Sequence, residues 1–164
     1  MRRTSMVDRD ELRELYERRF HAFVGGAFAI VADPDVARDV VQESFARALN
    51  RRRAYRGDAP LEAWLWRIVL NAARDIARSA HRRAATMEEL AVLAESADHA
   101  EPAGLVTELR ALPERQRTAV FLHYYADLPY DEVARLLGVA PGTVAASLNA
   151  ARTALRRRLE EVYR

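Results

Sequence analysis

The apolar periodicity of this 164-residue chain breaks once. Between Ala84 and Gly104 the text is AATMEELAVLAESADHAEPAG, where small residues, five acids, no base, Pro102 and Gly104 replace the long apolar stripes found on either side. In both flanking blocks apolar residues recur at helical spacing, and no segment alternates convincingly with period two, as a half-buried strand would. The length allows one ordinary domain or two small ones. The expected fold is therefore all-α, with two small helical domains, 1–83 and 105–164, joined by an acidic linker, 84–104.

Punctuation places the helices. A periodic stretch from about Arg9 to Val31 contains Gly25 and Gly26, expected to bend it. Asp33 before Pro34 gives an N-cap with proline at the first helical position, opening a helix to about Arg53. After the turn-like Tyr55, Arg56 and Gly57, the pair Asp58 and Pro60 repeats that signal and opens a helix to about Arg83. The linker has room for a short helix around Met87 to Leu93. Beyond it the pattern predicts helices at Leu105 to Ala111, Glu114 to Tyr125, Tyr130 to Leu137 and Pro141 to about Val162, separated by Pro113, Pro129 and Gly138.

Composition excludes several function classes. There is no cysteine, and His21, His81, His99 and His123 have no ligand spacing, so neither a disulfide nor a metal or other cofactor is expected. The first residues lack the apolar core of a signal peptide and no run approaches a membrane span, so a cytoplasmic protein without membrane insertion is expected. All 26 basic residues are arginine and the net charge is only +2, but the first block carries 17 Arg against 12 acids. No nucleophile, base and orienter set is present: Asp8, Asp10, Glu11 and Glu14 read as a charged helix face, so no catalysis is expected.

The helix opening at Leu61 carries more chemistry. At 100° per residue, Leu61, Leu65, Ile68, Val69, Ala72 and Ile76 gather on one side, and Trp66, Leu70, Ala73 and Ala77 form a second apolar arc. Between them runs a narrow strip of Trp64, Arg67, Asn71, Arg74 and Arg78. An unstacked base needs a flat partner and its backbone needs cations, which is what such a strip offers. The alternative is that Trp64 borders the core and the arginines are solvated or paired with Asp75 or Glu62. The wheel alone leaves both open and leans to the second.

Tyr130 to Leu159 has the layout of a helix-turn-helix: a first helix with Val133, Ala134 and Leu137 inward, Gly138 at the turn followed by inward Val139, and a second helix led by Pro141. There Val144, Leu148, Ala151 and Leu155 form the expected buried stripe, while Thr143, Ala146, Asn149, Ala150 and Thr153 face a major groove. Asn149 suits adenine, alanines suit thymine methyls, and Arg152, Arg156, Arg157 and Arg158 are within reach of phosphates. A purely structural hairpin with a cationic C-terminus is the other reading.

Three stretches, in collinear order over nearly the whole chain, resemble the extracytoplasmic-function sigma factors of the sigma-70 family. Asp39 to Leu49 (DVVQESFARAL) resembles the region-two helix that docks on the clamp helices of the polymerase largest subunit. The resemblance assigns Asp39, Gln42, Glu43 and Arg47 to that contact. Tyr55 to Asp75 (YRGDAPLEAWLWRIVLNAARD) resembles the loop and helix that capture a flipped base of the minus-ten element and hold the melted strand. It implies a pocket loop at Tyr55, Arg56, Gly57 and Asp58 and strand contacts at Trp64, Arg67, Asn71, Arg74 and Arg78. Leu112 to Val144 resembles region four, which binds the minus-thirty-five element as duplex and touches the polymerase flap. The residues implied for that duplex are Thr143, Ala145, Ala146, Asn149, Ala150, Arg152, Thr153 and Arg156. The resemblance also implies that the linker threads the polymerase.

The chain departs from that family after Val144, where AASLNAAR stands in place of a more basic run, and Ala145, Ser147 and Ala150 occupy positions where cations are common. Fewer phosphate contacts weaken binding and flatten its salt dependence, so weak or unusual duplex recognition is expected. Without the inhibitory N-terminal region, region three or an added C-terminal domain, restraint is expected from a partner, and the family implies an anti-sigma factor. Two other functions stay open: a helix-turn-helix regulator that binds duplex without polymerase, and a sigma-like protein acting only through protein contacts.

Overall fold

The computed structural model describes residues 7–88 and 105–162, and every regular element among them is helical. Most of the acidic linker, including residues 89–93 of the expected short helix, lies outside the described residues. The N-terminal bundle holds α1 (Arg9–Val31), α2 (Pro34–Asn50) and α3 (Leu61–Glu88), with one 3-10 turn at Arg52–Ala54. The C-terminal bundle holds α4 (Leu105–Arg110), α5 (Glu114–Val120), a π turn at Phe121–Tyr125, α6 (Tyr130–Leu137) and α7 (Pro141–Val162).

Local chemistry explains most boundaries. The Asp33 carboxylate accepts from the amides of Asp35 and Val36, at 2.9 Å each, satisfying two donors that the first turn of α2 leaves open. The Asp58 and Pro60 signal works differently from expectation. Helix α3 begins at Leu61, so Pro60 precedes it and offers its carbonyl to the amide of Trp64, 3.1 Å away. At its other end α3 continues past Arg83 to Glu88, five residues into the expected linker. Gly138, with φ of 67°, closes α6 in the left-handed conformation and donates to Ala134, so the chain can turn into α7 without a strained Cβ.

Gly25 and Gly26 do not interrupt α1; they thin it. A Cβ on Gly26 would lie 2.5 Å from the Trp66 ring, and one on Gly25 would lie 2.7 Å from the Tyr125 ring. Trp66 thus lies across α1, 1 % exposed, with its ring 4.3 Å from that of Phe23. The second arc of α3 is the deeper one: Trp66, Leu70 and Ala73 are fully buried, whereas Ile76, assigned to the first arc, is 39 % exposed.

The two bundles share one core. Leu122, Leu128, Val133, Val144 and Leu148 belong to the same buried cluster as Phe23, Ala27, Trp66 and Val69. Guanidinium groups cross the seam in both directions. Arg117 of α5 donates Nε to the carbonyl of Ala29 near the end of α1, and Arg19 of α1 donates to the carbonyl of Ala126. Arg117 also donates to Arg110 and Leu112 at 2.6 and 3.1 Å, so this buried cation is met by carbonyls. Burial pushes it below the ordinary arginine range, against the raising influence of Glu114.

Candidate nucleic-acid and polymerase interfaces

On α2, Val40, Val41, Phe45 and Ala48 face the core and fix the helix, leaving Asp39, Gln42, Glu43 and Arg47 exposed together on its outer side. Glu43 and Arg47 pair loosely at 3.5 Å, an exposed i,i+4 contact of little energetic weight. The four residues therefore add little to folding and are free to meet another protein.

On α3, burial along two arcs leaves Arg67, Asn71 and Arg78 exposed and Arg74 half-buried. The alternative pairing from sequence is half right. Arg78 does pair with Asp75, at 2.6 Å, but Glu62 takes Arg19 at 2.8 Å and the Trp66 indole N–H at 3.4 Å. Trp64 is half-buried against the core, with its ring 5.4 Å from that of Tyr55, so the two aromatics brace each other at the head of the strip. The Tyr55 hydroxyl donates to the carbonyl of Ala59 at 2.5 Å and ties off the loop, while Gly57, with φ of 70°, has open space around it.

The strip and the head of the loop border different hollows, with Ala59 at the loop's end reaching the strip's cleft. Arg67, Asn71 and Arg74 line a cleft of about 310 Å³ whose opposite wall is Glu132, Arg135, Leu136, Leu137 and Gly138 of the C-terminal bundle. Tyr55 and Gly57 border a separate hollow with Glu11, Glu14, Arg18 and Glu62. Arg74 and Arg78 continue into a third, beside His81, Arg82 and Glu114. The aromatic pair Tyr55–Trp64 is the joint between loop and strip.

The helix-turn-helix takes the expected form. Val133, Ala134, Val144, Leu148 and Ala151 are buried, and Leu137, Val139 and Leu155 are half-buried. On the outer face of α7, Ala146, Asn149, Ala150, Arg152, Thr153 and Arg156 are exposed, and Thr143 and Ala145 are half-buried. The Thr153 hydroxyl donates to the carbonyl of Asn149 at 3.0 Å. Arg158 does not stand free for phosphate: it is half-buried and pairs with Glu108 of α4 at 3.5 Å.

Residues 15–83 match the family model Sigma-70 region 2, and residues 104–155 match Sigma-70, region 4. The RNA polymerase sigma-H factor of Pseudomonas aeruginosa is 32% identical over 161 residues, covering 88% of this chain and 83% of that protein. This chain belongs to the sigma-70 family of RNA polymerase sigma factors. The RNA polymerase sigma-E factor of Streptomyces coelicolor is similar at 31% identity, over 91% of this chain and 86% of its own length. The ECF RNA polymerase sigma-E factor of Salmonella typhimurium, also 31% identical, covers 77% and 75%.

Two solved structures share the fold of this sigma factor. One is sigma factor RpoE with the anti-sigma factor NepR from Bartonella quintana, with a TM-score of 0.72, 21% identity, and coverage of 92% and 98%. The other is CnrH with the cytosolic domain of CnrY, with a TM-score of 0.69, 27% identity, and coverage of 94% and 90%. The function is accordingly that of a sigma factor: it binds core polymerase, recognises promoter elements and promotes strand opening for transcription initiation.

Sequence reasoning singled out two candidate DNA faces and a candidate docking face. It missed Arg19 and Arg117, whose bonds cross between bundles, and the purpose of Gly25. The glycine pair was a visible signal, but its partner Tyr125 lies 100 residues away.

Proposed function

We propose a division of labour among three surfaces. Asp39, Gln42, Glu43 and Arg47 dock on the clamp helices of the polymerase largest subunit. Trp64, Arg67, Asn71, Arg74 and Arg78, with the loop Tyr55, Arg56, Gly57 and Asp58, receive the melted minus-ten strand. Thr143, Ala145, Ala146, Asn149, Ala150, Arg152, Thr153 and Arg156 face the minus-thirty-five duplex, with the same bundle touching the flap. The continuous strip on α3 carries this reading. A helix buried along two arcs holds its remaining residues still, so a base and its backbone meet a flat group and cations that need no reordering.

The helix ends adjust the domain limits in the same plan: the N-terminal bundle through Glu88 for polymerase and strand, 105–164 for duplex, and the acidic stretch between them as the tether. Polymerase supplies the phosphodiester chemistry, and the chain itself is no enzyme. Work on DNA with core polymerase puts the chain in the cytoplasm. An anti-sigma factor is the expected regulator, in line with the solved structure of the same fold in which sigma factor RpoE is bound to the anti-sigma factor NepR.

Run-off transcription with core polymerase, on promoters mapped after overexpression, tests the reading. Asn71→Ala should bind core polymerase normally and open promoters poorly. Equal opening by the variant, followed with a fluorescent base near the start site, counts against the strip.

A further inference from the structure

From Ser44 to Gly57 the chain carries five arginines and no acid. Two of them have a place already, Arg47 on the outer side of α2 and Arg56 in the loop. Arg51, Arg52 and Arg53 do not. They cap α2 and form the 3-10 turn that leads into the loop, and they belong to none of the three surfaces above.

Several arginines of the fold meet a carboxylate: Arg13 pairs with Glu17, Arg19 with Glu62 and Arg158 with Glu108. The triplet is different. Among the described residues its one side-chain bond runs from Arg52 to the carbonyl of Leu49, at a long 3.4 Å. Arg51 and Arg53 are exposed and Arg52 is half-buried. The dipole of α2 accounts for little of this, because it acts over the last turn, where Arg47 already stands, and Arg52 and Arg53 lie beyond the cap. Neighbouring like charges destabilise the compact state, so a cluster without acids suits an anion from outside.

The setting indicates which anion. The triplet borders none of the three hollows described above, so no pocket gathers its guanidinium groups about one compact ligand. Cations fanned over an exposed turn suit phosphates strung along a chain. Arg53 is four residues from Gly57, a path of at most about 14 Å. A base received by the loop brings its neighbouring phosphates close to the triplet. The loop then has cations on both flanks, the triplet before it in the chain and Arg67 and Arg74 of the strip after it. Arg51 follows Arg47 by one helical turn, so the patch also continues the docking face. An acidic protein surface is the rival occupant, and the base held next door favours nucleic acid.

We propose that Arg51, Arg52 and Arg53 hold phosphates of the melted strand on the docking-face side of the captured base. The proposal rests on the loop and strip being strand-binding, as read above. A strand gripped on both flanks of one captured base resists peeling from either end, and its second flank is led towards polymerase.

The test uses holoenzyme made from core polymerase and the full chain, on a mapped promoter whose start-site region is held open by mismatches. Affinity is followed by fluorescence anisotropy at several KCl concentrations. The combined variant Arg51→Gln, Arg52→Gln, Arg53→Gln should flatten the logarithmic salt slope by up to about 2, since each phosphate contact on a single strand contributes roughly 0.7. Lysine at the same three positions should restore the slope, because counterion release counts charge. Both variants should melt like the parent chain, because the triplet is barely bonded within the fold.

Uncharged methylphosphonate linkages, placed one at a time along the melted strand, then locate the contacts. A linkage that weakens the parent holoenzyme but not the glutamine variant marks a phosphate held by the triplet. Such linkages should form one block, and a second block, silenced instead by Arg67→Gln, should lie on the other side of the captured base. An unchanged salt slope overturns the proposal. So does weaker capture of core polymerase with no linkage coupled to the triplet, which makes the patch part of the docking face. Coupling to the triplet alone sinks the strip reading and leaves this proposal standing; coupling to Arg67 alone does the reverse, and coupling to neither removes both.

Discussion

Helices α3 and α7 carry the two faces proposed for DNA, but they are held and furnished differently. α3 is clasped on two sides, by α1 and α2 and across the cleft by α6, and what it leaves outside is a strip of arginine and asparagine headed by a braced aromatic pair. α7 is clasped along one stripe, Val144, Leu148 and Ala151, and leaves outside a broad face of alanine, threonine and asparagine with arginine further on. The contrast matches two substrates. A single strand has no shape of its own, so its binder must supply rigidity, flat surface and charge. A duplex brings its own groove, and a small-residue helix can approach it closely.

The largest expected effect tests whether the two faces share a foundation. Trp66→Ala should cost about 3–5 kcal/mol, the usual range for emptying a buried aromatic site. Because the core is continuous across the seam, urea unfolding followed by circular dichroism should remain one transition. Two separated transitions would show that each bundle stands alone and would weaken the contrast.

The double variant Trp64→Ala, Asn71→Ala comes next. Stacking of a base on an aromatic ring contributes about 1–3 kcal/mol, so promoter opening should fall roughly 5- to 150-fold with polymerase binding retained. Trp64 is half-buried, so a thermal melt must accompany the measurement. Glu43→Arg should weaken association with core polymerase by about tenfold, a cost of about 1.4 kcal/mol, and leave the melting temperature unchanged, because its ion pair is exposed. Normal capture in a pull-down counts against the docking face.

The smallest effect addresses α7 directly. If its alanines explain weak duplex recognition, Ala145→Arg with Ala150→Arg should tighten duplex binding and steepen its logarithmic salt slope by at most about 1.8. The full chain should be used, since the isolated C-terminal bundle would lose the core it shares with α1 and α3. A slope that is already steep in the unmodified protein removes the premise.

Much of this was readable from sequence because it is local. Asp33 before Pro34 caps α2 through amides two and three residues on, and Gly138 stops α6 through a conformation other residues avoid. The stripe Val144, Leu148, Ala151 follows helical spacing alone. The reading faltered where a residue's partner is remote. The wheel set Trp66 on an apolar arc and Trp64 on the strip, but could not tell that Trp66 lies against α1 where Gly26 thins its surface. The split between loop and strip depends on where α6 lies, and α6 reaches the cleft only through the seam. Nor could spacing reveal that Glu62, expected near the arginines of its own helix, is taken by Arg19.

The two guanidinium bonds that hold the bundles together end on backbone carbonyls. Carbonyls carry no net charge and do not titrate, and arginine stays protonated throughout the range in which cells live. The seam should therefore respond only weakly to ionic strength and to acidity. Attachment to DNA is different, since it releases condensed counterions and falls steeply as salt rises. Within one molecule, the seam and the surfaces proposed for DNA would answer to the ionic medium unequally: salt that loosens the hold on a promoter would leave the contact between the bundles in place.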